Sequence, residues 1–276
     1  MVTIATLQRA NHGTHFRAAA LRDAAGLIDP FLGVDHAWMS APTFPPHPHA
    51  GFSAVSYLFL DSETGIDNRD SLGTHNLIQP GGLHWAAAGR GIIHEENPAE
   101  TGKTVHSLQI FVNLAREQQE AAPLVLSLKP QEVPVVRVNG ATVRVPLGSF
   151  QGAISPISPP TDVRVLDISL DERGRVAVPV PTGHVAFVMP IFGVMAISGQ
   201  EFSGNTLNVP VFPPQANEQT ITLEAEQGNA KAVLFSGKPL AQPVYWQGPF
   251  AMASSEALTK TIKAYQSGEL GSLQRI

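Results

Sequence analysis

The chain contains no cysteine. That excludes disulfides, thiolate nucleophiles, iron–sulfur clusters and cysteine-type zinc sites, and it suits a reducing compartment. Charge is also scarce, at 15% of residues and a net −5, and there is no basic run. A general grip on nucleic-acid phosphates is therefore not expected. Long apolar runs are missing. The longest, Val185–Ile197, is too short to span a membrane and contains Pro190; it reads as two strands around a turn. The opening MVTIATLQRANHG lacks a charged segment leading into an apolar one, so no secretory leader is read and a cytoplasmic location is expected. Phosphate-loop, dinucleotide and nucleophile-elbow patterns are absent as well. His94-Glu95-Glu96-Asn97-Pro98 runs into a proline where a zinc-protease helix needs its second histidine.

What the chain does have is turn-forming residues and short apolar runs. With 24 Gly, 23 Pro and 43% hydrophobic residues, many short strands around a substantial core are expected, and long helices are not. Its 276 residues allow two domains. Val/Ile-rich runs separated by Gly, Pro and Asn recur after Pro130, so the division is placed at 1–130 and 131–276. Nine of the ten histidines lie at or before His106, which makes the first half the chemical one. Near the end, Ser254 can cap a helix carrying Leu258, Ile262 and Tyr265 on one stripe and closing at Gly268.

The most informative residues are His47-Pro48-His49 and His94-Glu95-Glu96. Side chains two apart on a strand share a face, so two such pairs can offer three imidazoles and one carboxylate to a single ion. That donor set suits a divalent first-row metal such as Fe(II), Mn, Ni, Cu or Zn. Glu95 should alternate outward. Pro42, Pro45 and Pro46 stiffen the arm leading into His47. The Gly-flanked stretch from Ala86 to Gly91 allows close backbone approach.

These segments resemble one family. His47-Pro48-His49-Ala50-Gly51-Phe52, Arg69-Asp70-Ser71-Leu72-Gly73, Pro80-Gly81 with Trp85, and Ala88-Gly89-Arg90-Gly91-Ile92-Ile93-His94 with Glu96 are similar to pirins, of the cupin superfamily. Asp29-Pro30-Phe31-Leu32 and Gln247-Gly248-Pro249-Phe250 extend the resemblance. It implies an all-β bicupin: two antiparallel jelly-roll barrels stacked face to face, with a short C-terminal helix. It implies one metal, usually iron, held in the first barrel by His47, His49, His94 and Glu96, and none in the second. It further implies a quercetin 2,3-dioxygenase-like activity, with a small aromatic flavonol and O2 as reactants, Glu96 accepting the substrate proton, and ring cleavage releasing carbon monoxide. The alternative within the family is a non-enzymatic iron-dependent regulator acting through a protein partner.

Phe52, His84, Trp85 and His36 are the expected pocket residues, with His36 at the cavity mouth; Phe52 and Trp85 also read as core and His84 as a satisfied structural histidine. His75 and His106 read as surface or supporting groups. The chain departs from the family pattern at three places. Ser53 stands where many members have glutamate and Asn68 where many have histidine. Gly82 and His84 stand where Asp and Gln are usual.

Overall fold

The computed structural model of the chain describes residues 2–22 and 24–273. It is built from antiparallel strands, as expected, with a C-terminal helix at Ser255–Gln266 and a one-turn helix at Ala25–Ile28. Each half contains a seven-stranded sheet facing a four-stranded one. Each barrel is thus two sheets closed over a shared interior, not one continuous hydrogen-bonded ladder. In the first half the large sheet runs Leu124–Leu128, Leu83–Ala87, Phe52–Leu58, Val105–Asn113, Phe31–Met39, Phe16–Leu21 and Gln8–His12. The small sheet runs His47–His49, Ile92–Pro98, Ile66–Asp70 and His75–Ile78.

The two large sheets stack back to back across one apolar layer. Phe31 meets Phe187 and Phe235 edge-on at 5.2 and 5.7 Å, and those two rings stack on each other at 4.6 Å. Val55, Tyr57, Trp85, Leu108 and Ile110 contribute from the first sheet, and Val165, Met189 and Val233 from the second. The Tyr57 hydroxyl donates to Asp167 across this layer at 2.8 Å, and Asp167 pairs with Lys231. Strands here are buried on both faces, which explains why Phe52–Leu58 has no exposed residue and reads as almost wholly apolar.

Val185–Ile197 does form two strands, Val185–Phe192 and Val194–Ile197, but the turn lies at Gly193. Pro190 sits inside the first strand, at a register irregularity where a missing N–H is tolerated.

The division at 130/131 is crossed in both directions. Thr3–Thr6 pairs with Asn208–Phe212 in the second half. The hairpin of Tyr245–Gln247 and Phe250–Met252 returns to the first half, where Phe250 bridges to Ala50. The helix behind it is capped by Ser254, whose hydroxyl accepts from the Ala257 N–H at 3.1 Å. Its Leu258 and Ile262 pack with Ala50, Ile93 and Leu270.

Gly51 allows that return. Its φ is +83°, and a Cβ there would lie 1.9 Å from the Ala251 carbonyl oxygen. The Gly-rich turn behaves likewise, since a Cβ on Gly89 would lie 2.3 Å from the Ala121 oxygen. Gly51→Ala is therefore expected to lower unfolding free energy by more than about 1 kcal/mol, read as a drop in Tm. An unchanged Tm would contradict this docking.

Candidate metal centre

His47 and His49 lie on one short strand, and His94 on the strand paired with it, directly opposite His47. Period-two alternation then turns all three imidazoles into the first barrel. Their ligand atoms lie within 4.8 Å of one another, and the Nε2 atoms of His49 and His94 are 3.0 Å apart. His47 Nδ1 faces the Pro45 carbonyl oxygen at 2.9 Å. That contact places the hydrogen on Nδ1 and leaves the Nε2 lone pair for a metal. The Pro249 carbonyl faces His49 without full hydrogen-bond geometry, and His94 Nδ1 has no hydrogen-bond partner among the described residues.

Burial keeps these histidines neutral. It lowers His47 and takes His49 down to about 3, with neighbouring imidazoles adding to the effect at His49 and His94. Neutral imidazoles converging in this way are the form a metal needs, so the residues present fit a first-row ion.

The strand carrying His94 is braced by the Arg69–Gly73 motif. Ser71 exchanges hydrogen bonds with Ile93: its N–H donates to the Ile93 carbonyl at 2.7 Å, and its hydroxyl accepts from the Ile93 N–H at 3.0 Å. Asp70 accepts from the N–H groups of Leu72 and Thr74, holding the turn. Glu95 points outward, as alternation requires, and pairs with Arg69.

Glu96 lines the same cavity but is not one of the close-set trio. Its carboxylate oxygens lie 2.9 and 2.7 Å from the Ser56 hydroxyl, which is also 3.0 Å from Gln109 Oε1. One hydroxyl hydrogen cannot serve all three acceptors. A proton on Glu96 would supply a second hydrogen, and burial raises this carboxyl to about 7, against the opposing pull of Ser56.

The cavity holds about 280 Å³. Phe16, Met39, Phe44, Ile66 and Phe111 provide apolar walls, and Arg22, Asp35, Ser107 and Gln109 add polar ones. None of the four expected pocket residues lines it. Phe52 stands behind His49, edge-on at 5.2 Å, with Trp246 stacked on its far side. Trp85 belongs to the layer between the large sheets. His36 points to that same side and meets His106 at 2.7 Å, while His106 pairs with Asp61. His84 is on the barrel side but buried behind the cavity, against Ser127 and Asn68. The apolar and polar walls that do line it come from strands whose pairing sequence spacing did not reveal; alternation around Asp35 was the available signal.

Two family models match: Pirin over residues 13–112 and the Pirin C-terminal cupin domain over residues 165–271. Mouse Pirin is 32% identical over 275 residues, covering 98% of this chain and 93% of that protein. The chain belongs to the pirin family. A Pseudomonas aeruginosa relative, provisionally named a quercetin 2,3-dioxygenase, is 31% identical and covers 88% of this chain and 87% of its own. Among solved structures, quercetin 2,3-dioxygenase from Acinetobacter baumannii superposes with a TM-score of 0.86 at 23% identity, over 99% of this chain and 98% of that one. The bacterial pirin YhhW from Escherichia coli, in complex with nickel(II), gives 0.68 at 17% identity, over 87% and 100%. At those identities the two structures show the shared fold of two cupin-type domains.

Within this pirin, Asn68 and His84, two residues expected from the sequence to depart from the family pattern, touch each other. Asn68, cross-strand from Glu96, places its amide 3.4 Å from His84 Nε2. Ser53, by contrast, has Val55 and Tyr57 on its face of the strand and is turned from the cavity. Asn68→His and His84→Gln are each expected to destabilise by about 1–3 kcal/mol, and the double variant to recover part of the loss through a coupling of about 0.5–3 kcal/mol; denaturant melts of the four proteins measure this. Metal is expected to raise the Tm of the wild type, by about 2.7 kcal/mol of stabilisation at a hundredfold excess over Kd, and to leave that of His94→Ala unmoved.

Proposed function

We propose that this pirin is a metal-dependent dioxygenase of flavonol-type substrates, with iron(II) as its metal. The observation that carries the reading is the convergence of three neutral imidazoles and a buried carboxylate on a cavity walled by Phe16, Phe44 and Phe111. His47, His49 and His94 would hold the ion, and Glu96 would complete the set by turning from Ser56 or remain beside it as the proton acceptor. When bound, the metal supplies Lewis acidity toward an enol hydroxyl and a place for dioxygen. The protein side of the reaction follows from the walls. Phe16, Phe44, Phe111, Met39 and Ile66 hold a planar ring and exclude water. Glu96 receives the enol proton, and Ser56 keeps its carboxylate oriented. The relative with a provisional quercetin 2,3-dioxygenase name supports the substrate class.

Iron-reconstituted protein is expected to consume oxygen when quercetin is added, and His94→Ala to fall to background. Glu96→Gln should retain its fold and lose about 10²–10⁴-fold in kcat, the usual range for a general acid or base. Stoichiometric iron without oxygen uptake would overturn the dioxygenase reading and favour the regulator that acts through a protein partner.

A further inference from the structure

A polar row runs across the large sheet, lining the cavity at Asp35 and Gln109 and passing behind it at Ser56 and His84. Asp35, Gln109, Ser56 and His84 are directly opposite one another on four consecutive strands. From Ser56, beside Glu96, to Asp35 is two interstrand spacings, about 10 Å. That is the length scale of a fused bicyclic core with a pendant ring.

At the far end of the row an ion pair lines the cavity. Arg22 grips Asp35 through both carboxylate oxygens, with Nε at 3.0 Å from Oδ1. Its guanidinium also lies over the Phe111 ring at 5.3 Å. Arg22 and Asp35 both line the cavity, and the Asp35 side chain is 11% exposed. Burial raises the Asp35 carboxyl while Arg22 opposes the rise. Two of the carboxylate's roughly four acceptor sites are taken by Arg22, which leaves capacity for a hydroxyl donor. Gln109 lines the cavity and hydrogen-bonds only Ser56 among the described residues, through one end of its amide, so whichever way the amide is turned its other end has no partner there. The Arg22 side chain is 41% exposed, and an ion pair with one partner in solvent adds little to stability, so folding alone does not account for this one on the cavity wall.

We propose that Asp35, held by Arg22, and Gln109 are the specificity-determining residues that read hydroxyl groups on the substrate ring farthest from the histidines. This selects polyphenols hydroxylated at both ends over those bare at the distal ring. The proposal rests on the flavonol-type reading of the cavity. Asp35 accepts a hydroxyl hydrogen, and the free end of Gln109 bonds the neighbouring oxygen or hydroxyl. Arg22 acts through Asp35, as a positioning residue.

The test is equilibrium binding, by quenching of tryptophan fluorescence, to nickel-loaded protein without oxygen. The ligands are quercetin and galangin, the same flavonol without pendant-ring hydroxyls. Wild type is expected to bind quercetin about 10- to 100-fold more tightly, the scale of hydrogen bonds to a charged partner. Asp35→Asn and Gln109→Leu should each shrink that ratio to below about threefold. Metal content and far-UV circular dichroism report whether each variant is folded, and either variant alone suffices. Equal binding of both ligands by wild type overturns the proposal, as does a ratio that survives in the folded variants. If neither flavonol binds, this proposal and the dioxygenase reading both fail. Discrimination without oxygen uptake by the iron-loaded protein sinks the dioxygenase reading alone and leaves the polar row as a polyphenol-binding element.

Discussion

Every central strand of the first large sheet must serve two interiors at once. One face packs on the second half through Phe31, Tyr57 and Trp85, and the other encloses the histidine-lined cavity. Side chains alternate with period two, so sequence neighbours are sent to different chemistry. Ser56 reaches Glu96, whereas Tyr57 reaches Asp167. Asp35 lines the cavity, whereas His36 meets His106 behind the sheet. A slip of one residue in register would exchange the two sets and destroy both.

The sheet that carries the three histidines depends on that floor and on supports drawn from elsewhere in the chain. His94 is set by strand pairing with His47, and its strand is tied to Ser71 by paired hydrogen bonds. The C-terminal hairpin closes the back of the site, where Pro249 faces His49 and Trp246 stacks on Phe52. It can approach because Gly51 has no side chain. The far end of the chain therefore helps to position the imidazoles of the first half. The second half adds a broad apolar surface to the first, while its own single histidine, His184, lies outside the imidazole trio.

Much of this was legible in the chain. The scarcity of charge and the density of Gly and Pro indicated short strands. The H-x-H and H-x-E spacings indicated one shared face, because alternation is a local property of extended backbone. The same rule sent Glu95 outward, and the structure pairs it with Arg69. The Ser254 cap and the helix stripe were equally local. Pocket residues were harder to read. His36 is one position from Asp35, and Trp85 one position from His84; parity can be counted along a strand, but which face meets the cavity cannot. The division at 130/131 likewise could not show that Thr3–Thr6 and the C-terminal hairpin change sides.

The amino-acid sequence by itself determined the shared face of His47 and His49, the all-β character and the family, because each is written in local spacing and residue type. Only the tertiary structure decided that Arg22, Asp35, Gln109 and Phe111 share a cavity with the histidines. It also decided that Glu96 rests on Ser56 and that Asn68 touches His84. Those contacts join strands distant in the chain, and their partners are chosen by sheet order and register. Both are set by the packing of two large sheets over one apolar layer, a collective property that no single segment carries.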